Sequence, residues 1–598
     1  MNEIYDYAVI GDCRSAALVS RQGSIEWLCW PHFDSPSIFG AILDERAGRW
    51  SVAPAGSFAV DRHYEHDTNV LVTRFRGDSG TLCVTDFMPV ASEQEKEALL
   101  FPEHEILRLI ECEEGEAEVE MVFEPKPDYG RGSVRVRDGG KLGVRVHTGV
   151  GLLTLRTDFP VVLHSGGGRS RFRLRAGESR HASLTYTEEW LAVLPPLGPW
   201  SRDCLRRSVS WWREWISRMR YGGPWRDAIA RSVLALKLLV FSPSGAVVAA
   251  PSTSLPERIG GDLNWDYRFC WLRDASLTLR GLFGLGYHSE GEAFLSWLLH
   301  STRLSRPELH VLYDVYGKAP QREETLDHLS GHRGSRPVRI GNAAVEQLQL
   351  DIYGEIVDAA ARFVWQGGTL DRETKRLLCE LGDFVCRNWS RPDDGIWEPR
   401  VQRRHHTHSR VLCWAALDRL VQLHRKGHLR ARHIELFTRT RELIRQDVEE
   451  RGWSAKHQSY VAILGGEEVD AALLLLPWYE FSAAEADRMR STWARIEREL
   501  GAGEGLLWRY RSSLSPGEGA FGICSFWAAE YLALAGRVPE AMARVETMLR
   551  YRNDVGLYAE EIDPTTGRGL GNFPQAFTHV GLVNAALTVE RRLEVARG

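Results

Sequence analysis

Residues 133–146 have the sequence Ser-Val-Arg-Val-Arg-Asp-Gly-Gly-Lys-Leu-Gly-Val-Arg-Val. Valine alternates with arginine on both sides of the Asp-Gly-Gly turn, so each flanking segment has one apolar and one polar face, as a β-strand does. This pattern predicts a β-hairpin. The same alternation recurs between about residues 50 and 190, in 71–75, 81–90 and 171–175 among others. Many short strands with one polar face predict an antiparallel β-sandwich.

After Pro195 the apolar residues recur with the 3.6-residue period of helices, and the tryptophan- and arginine-rich segment 200–220 predicts a linker helix. Twelve further helical segments are expected, at 225–242, 272–285, 289–303, 342–364, 370–389, 410–426, 430–451, 467–478, 482–500, 521–535, 537–551 and 575–596. Short turns join some of them and long loops join others. This alternation predicts six helical hairpins that close into an (α/α)6 barrel, with the long loops at one end.

The predicted architecture is therefore multidomain. It has an N-terminal antiparallel β-sandwich at residues 1–195, a linker helix at 196–223 and an all-α (α/α)6 barrel at 224–598. A chain of 598 residues is too long for one ordinary domain, which agrees with this division.

Charge and composition exclude several classes of partner. The formal net charge is −5, so the protein lacks the basic field that nucleic-acid binding requires. No run of eighteen apolar residues or signal-peptide pattern is present, so we expect no membrane partner. The ten cysteines are scattered without a Cys-x-x-Cys pair, which is typical of buried thiols in a reducing compartment. A cytoplasmic location is expected, and the sequence leaves homo-oligomerisation open.

Four long loops of the predicted barrel place acidic or arginine side chains beside aromatic ones. They are Asn264–Asp274, Asp394–Arg400, Gly505–Arg511 and Gly556–Asp563. A sugar ring presents apolar C–H faces that stack on aromatic rings and hydroxyls that pair with carboxylates and guanidinium groups. The chain has 21 tryptophans, which a large core could also bury, but the repetition in four loops favours a carbohydrate-binding cleft.

Hydrolysis of a glycosidic bond requires two carboxyl groups, one to protonate the leaving oxygen and one to activate water or attack the sugar. Glu398 and Glu560 are the candidates. Glu398 follows Trp397, whose apolar ring would disfavour ionisation of a neighbouring carboxyl, as a general acid requires. Glu560 is followed directly by Glu561, which competes for the same role. Taken alone, either glutamate is better explained as a solvated loop charge.

The four loops resemble those of glycoside hydrolase family 15, which contains glucoamylases, glucodextranases and microbial trehalases, and the resemblance covers nearly the whole chain. Further stretches that match are Gly23–Trp27, Phe33–Pro36, Ala250–Glu257, Arg336–Asn342 and Gln349–Gly354. The resemblance implies a β-sandwich joined by a linker helix to an (α/α)6 barrel, in agreement with the periodicity. It also implies an inverting mechanism that releases β-glucose from a terminal α-linked glucosyl unit.

The same resemblance implies roles for individual residues. Glu398 matches the general acid and Glu560 the general base. Tyr267 matches a tyrosine that helps to position the attacking water. The other residues expected to bind substrate are Trp271, Arg273, Asp274, Trp397 and Arg509. For Arg273 and Asp274 the alternative is a salt bridge at the start of a helix. An inverting pair of carboxyl groups is expected about 6.5 to 9.5 Å apart.

No cofactor or metal is expected. The stretch His405-His-Thr-His408 lacks the carboxylate and further ligands of a defined metal site, and Gly166–Gly168 lacks the context of a phosphate-binding loop. Two alternatives to a hydrolase remain, an inverting disaccharide phosphorylase and a non-catalytic glucan-binding protein. The substrate is expected to be an α-glucoside, with trehalose slightly favoured over malto- or isomalto-oligosaccharides.

Overall fold

The computed structural model describes residues 1–99, 101–149, 151–188, 194–303, 305–320, 322–511 and 517–597. The first part of the chain forms an antiparallel sheet of fifteen strands, with helix α1 (Glu93–Ala98) between β8 and β9. The strands are β1 (Tyr7–Gly11), β2 (Ala16–Ser20), β3 (Ser24–Cys29), β4 (Ser37–Phe39), β5 (Arg49–Pro54), β6 (Ala59–Tyr64), β7 (Leu71–Arg76), β8 (Gly80–Phe87), β9 (His104–Glu124), β10 (Arg135–Asp138), β11 (Val144–His147), β12 (Leu152–Thr157), β13 (Val162–His164), β14 (Gly167–Arg175) and β15 (Ser179–Thr187).

Strand β9 organises this domain because it spans 21 residues. Its first half pairs with β8 and β15, and its second half pairs with β5 and β14, so it joins two groups of strands. The hairpin expected at 133–146 is present as β10 and β11, with Val136 opposite Val146. The predicted N-terminal antiparallel domain is confirmed.

Twelve longer helices follow the sheet. They are α2 (Pro199–Ser217), α3 (Arg226–Leu239), α4 (Leu272–Gly284), α5 (Ser289–Thr302), α6 (Asp351–Trp365), α7 (Arg372–Asn388), α8 (Thr407–Arg425), α9 (Ile434–Arg451), α10 (Asp487–Leu500), α11 (Gly522–Leu534), α12 (Val538–Met548) and α13 (Ala576–Arg597). Short strands lie in the loops between them, at β16 (Thr253–Pro256), β17 (Asn264–Asp266), β18 (Cys270–Trp271), β19 (Leu312–Tyr313), β20 (Glu324–Thr325), β21 (Arg339–Ile340), β22 (Trp453–Ser454), β23 (Ser459–Tyr460), β24 (Gly501–Gly503), β25 (Leu506–Leu507), β26 (Ala520–Phe521), β27 (Glu561–Ile562) and β28 (Gly569–Leu570).

Six elements form a closed inner ring. Helices α4, α6 and α8 contact one another in order, α8 contacts the 3-10 helix Ala471–Leu475, and that element contacts α11, which packs on α13 and so returns to α4. Helices α3, α5, α7, α9, α10 and α12 alternate with these elements along the chain and pack outside them. The predicted (α/α)6 barrel is confirmed.

One predicted helix has a different form. The segment 467–478 contains only the 3-10 helix Ala471–Leu475, followed by irregular turns. Its four consecutive leucines are buried, as a helix of the inner ring requires. However, Pro477 has no N–H to donate to the carbonyl of Leu473, so the α-helical hydrogen bonds cannot continue through it.

The sheet domain contacts the loops at one end of the barrel through buried polar groups. The Trp27 indole donates to the carbonyl of Pro251 at 2.7 Å, and the Arg268 guanidinium donates to the carbonyl of Ser35 at 2.8 Å. The Asn553 side chain donates to the carbonyl of Tyr7 at 2.8 Å. No helix within the described ranges is long and apolar enough to cross a membrane.

Candidate active site

The long loops form a cavity at one end of the barrel. All eight residues that the sequence predicts for the site line it: Tyr267, Trp271, Arg273, Asp274, Trp397, Glu398, Arg509 and Glu560. Residues from sequence positions as far apart as 267 and 560 therefore meet in one cavity. Its charged and aromatic lining matches the composition that the loops predict.

Arg273 and Asp274 lie in the first turn of α4, whose N-terminus enters the cavity wall. The Arg273 guanidinium donates to the carbonyl of Ile396 at 2.6 Å, which ties this helix to the loop of Glu398. It also lies 3.5 Å from Oδ2 of Asp274. The helix-start salt bridge and the cavity position therefore coexist. Oδ1 of Asp274 has no hydrogen-bond partner among the described residues.

Glu398 is held at the cavity by two neighbouring side chains. Its Oε1 accepts a hydrogen bond from the Trp271 indole at 2.8 Å and lies 3.4 Å from the Arg273 guanidinium. The backbone of Glu398 has φ +56°, in the left-handed region that non-glycine residues rarely adopt. Strained residues of this kind cluster at functional sites, where the surrounding structure over-determines them.

Trp397 has a different neighbour from the one its sequence position suggests. Its indole donates to Oδ2 of Asp470 at 2.8 Å, and its ring lies 5.4 Å from that of Phe521. The indole that contacts the carboxyl of Glu398 is Trp271, 127 residues earlier in the chain. Trp397 thus contributes an aromatic wall to the cavity.

Glu560 and Glu561 point in different directions. Glu560 lines the cavity, whereas Glu561 begins β27 and accepts a hydrogen bond from the backbone N–H of Gly519 at 2.9 Å. Successive side chains of an extended segment point to opposite faces, which accounts for the difference. Of the two adjacent glutamates, Glu560 is therefore the one whose side chain lines the cavity.

Burial raises the pKa of two carboxyl groups that line the cavity. Burial and the nearby charge of Glu257 raise the pKa of Glu560 well above its ordinary value. The charge of Arg509 and a hydrogen bond from Tyr267 lower this pKa, but by less. Burial also raises the pKa of Asp274 to about 6 against the opposing charge of Arg273. The cavity is therefore a poorly solvated site in which small changes of charge alter protonation.

Arg509 is held by two carboxylates that do not line the cavity. Its Nη2 donates to Glu257 at 2.9 Å, and its Nε lies 2.5 Å from Oε1 of Glu518. Glu257, Glu518 and Glu561 each offer a carboxylate oxygen within 4.8 Å of the others, the one grouping of potential metal ligands among the described residues. The guanidinium of Arg509 already supplies a positive charge to this cluster.

The family assignment follows from comparison with known proteins. The model of the family described as "Glycosyl hydrolases family 15" matches residues 223–541 and 537–587. The chain belongs to this family. A second model, described as "Trehalase-like, N-terminal", matches residues 2–185. The protein is therefore a glycoside hydrolase, and the resemblance predicted from the four loops is confirmed.

Relatives with assigned names cover almost the entire chain. It is 36% identical to a trehalase of Mycolicibacterium smegmatis, over 99% of this chain and 92% of that one. It is 34% identical to a trehalase of Thermoplasma volcanium, over 99% and 94% respectively. Among solved structures, a bacterial glucoamylase complexed with acarbose matches with a TM-score of 0.73 at 11% identity, covering 99% of this chain and 94% of that one. That match shows the shared fold.

The sequence reasoning did not assign several residues that complete the site. Phe521, Gln575 and Phe577 line the cavity, and Glu257 and Glu518 hold Arg509. The stretch Ala250–Glu257 resembles the family, but the sequence assigns no role to Glu257 because its partner, Arg509, lies 252 residues away. The apolar lining residues begin or precede helices, where core packing is the usual explanation.

Proposed function

We propose that this protein hydrolyses a terminal α-linked glucosyl unit with inversion, and that trehalose is its main substrate. The observation that carries the proposal is that Glu398 and Glu560, from loops 162 positions apart, line the same small cavity. The names of the relatives favour trehalose over longer α-glucans. The scattered cysteines, without a Cys-x-x-Cys pair, favour a reducing compartment, and we propose a cytoplasmic location on that ground.

In the proposed reaction the glucosyl unit enters the cavity, and Arg273 and Asp274 hold its hydroxyls. Glu398 donates a proton to the glycosidic oxygen while the bond to the anomeric carbon breaks. Glu560 removes a proton from water, whose oxygen bonds to the opposite face of the same carbon. Tyr267 is placed to orient that water, since it lines the cavity and interacts with Glu560.

The stereochemistry of the products tests the mechanism. Inverting hydrolysis of trehalose converts the attacked glucose to the β anomer and releases the leaving glucose as the α anomer. Proton NMR during the first minutes should therefore show β- and α-glucose in equal amounts. A retaining enzyme would release only α-glucose at first, and that result would contradict the proposal.

The same experiment with added phosphate separates hydrolysis from phosphorolysis. A phosphorylase would form glucose 1-phosphate, because phosphate would replace water as the attacking group. The buried carboxyl of Glu560 disfavours this route, since a second negative charge would have to enter beside it.

A glucose-release panel over trehalose, maltose, maltotriose, isomaltose and soluble starch should show the highest kcat/KM for trehalose.

The pH profile should reflect the environment of Glu560. A general base acts in its ionised form, and the pKa of Glu560 lies well above the ordinary value of 4.5. As the pH falls through that raised pKa the ionised fraction decreases, so kcat/KM should decline on the acid side at a pH clearly above 4.5. We expect a profile of log kcat/KM to fall with a slope of about one per pH unit there. Full activity maintained down to pH 4.5 would be inconsistent with this assignment.

A further inference from the structure

Glu257 ends a stretch that the proposed reaction does not use. It follows β16 directly and is 1% exposed. Its Oε2 accepts a hydrogen bond from Arg509 at 2.9 Å, and no described residue donates a hydrogen bond to its Oε1. A buried carboxylate with a single arginine partner is costly to fold, so its presence beside an active site requires an explanation.

The backbone places Glu257 where the loops of the site meet. Its N–H donates to the carbonyl of Leu263 at the start of the Tyr267 loop, at 3.1 Å. The preceding carbonyl, of Pro256, accepts from Gly571 at 2.7 Å. Gly571 packs so closely on Glu560 that a Cβ there would lie 2.5 Å from Oε2 of that residue. Glu257 is thus hydrogen-bonded to the loop of Tyr267 and to Arg509, and it lies next to the loop of Glu560.

We infer that Glu257 is a positioning residue, which orients the guanidinium of Arg509 at the cavity wall and keeps a negative charge behind Glu560. This inference rests on the proposed function and deepens it. Glu257 does not line the cavity, so it acts through Arg509 and Glu560 rather than on substrate. Glu518 shares the first task, because it holds Nε of the same guanidinium.

The charges around Glu257 explain why it affects the base. Arg509 is the positive group facing it, and Glu518, Glu560 and Glu561 are the acidic ones. Burial raises the pKa of Glu257 itself to about 7, and Arg509 opposes that rise. The charge of Glu257 is in turn the main electrostatic cause, after burial, of the raised pKa of Glu560. Tyr267 also faces this group, and it stays protonated because its own pKa is raised.

Two substitutions of Glu257 separate its charge effect on Glu560 from its positioning of Arg509. Glu257→Gln keeps the length and an acceptor oxygen but removes the charge, so the acid limb of the kcat/KM profile should move to lower pH by about one unit. Glu257→Asp keeps the charge but withdraws the carboxylate by one methylene group from Arg509. It should leave the acid limb in place and raise KM for trehalose about tenfold, because a charged hydrogen bond is lost.

Glu518→Gln is the matched control. It alters the other partner of Arg509 but not the charge that acts most on Glu560, so its acid limb should stay at the wild-type pH. The melting temperature of each variant reports any general loss of stability.

If Glu257→Gln leaves the acid limb at the wild-type pH, the inferred charge effect is wrong, whatever happens to stability. Should that variant fail to fold, an unchanged KM in Glu257→Asp would overturn the positioning role. The failure of the proposed function is recognised separately, by full activity in Glu560→Gln. A residue with a merely structural role would not change the pH dependence in one variant and KM in the other. These two measurements therefore decide the outcome.

Discussion

Replacing Glu560 by glutamine should lower kcat for trehalose about 10³-fold or more and change KM only a few-fold. Glutamine has the same shape but cannot take a proton from water at any pH of the assay. Glu560 is 1% exposed, and the other carboxyl groups that line the cavity, those of Asp274 and Glu398, have different roles in the proposed reaction. Steady-state kinetics of purified wild type and variant with trehalose measure the effect.

Glu561→Gln provides the control for that experiment, because it changes the neighbouring carboxyl in the same way. Glu561 is also fully buried, but it hydrogen-bonds Gly519 and does not line the cavity. Its replacement should lower kcat far less. An inactive Glu561→Gln together with an active Glu560→Gln would reverse the assignment of the base.

Replacing Glu398 by glutamine should lower kcat/KM for trehalose by a similar factor of about 10³, for a different reason. Glutamine cannot donate a proton to the glycosidic oxygen, so a sugar leaving group departs as an unstable alkoxide. The Trp271 indole can still donate to the new side chain at the position of Oε1. The geometry of the loop should therefore survive the substitution.

The choice of substrate makes the Glu398 experiment specific. α-Glucosyl fluoride has a leaving group that needs no protonation, so Glu398→Gln should hydrolyse it at a rate within about tenfold of the wild-type rate. Glu560→Gln should remain inactive on the same compound, since it cannot activate water. Equal losses on trehalose and on the fluoride would show that Glu398 is not the proton donor.

Periodicity was sufficient to predict most of the architecture. The alternation at 133–146 and the spacing of helical segments depend on local burial patterns, which a sequence displays directly. The segment 467–478 was predicted incorrectly as a regular helix because its apolar content is that of an inner helix. Pro477 prevents the regular hydrogen bonds, and the segment still occupies its place in the ring.

The site was predicted less completely than the fold, because its chemistry depends on long-range contacts. The loop compositions predicted a carbohydrate-binding cleft, and the resemblance to the family supplied most of the individual residues that face the cavity. They did not show that Trp271 rather than Trp397 contacts Glu398, or that Glu257 holds Arg509, since these partners are 127 and 252 positions apart. The choice of Glu560 over Glu561 rested on the match to the family's motif, because the chemistry of two adjacent glutamates does not separate them. In the structure, Glu560 is the one that lines the cavity.

The contacts between the sheet domain and the barrel loops have a consequence for how this protein can be divided. Arg268 lies between Tyr267 and Trp271 in sequence, is 1% exposed and donates to the Ser35 carbonyl across the domain boundary. A barrel produced alone would retain the ion pair between Arg268 and Asp266 but would expose the guanidinium and lose its hydrogen bond to the Ser35 carbonyl. The sheet domain is thus a structural part of the catalytic apparatus rather than an exchangeable appendage. Genetic truncation or domain shuffling at this junction would alter the catalytic loops themselves.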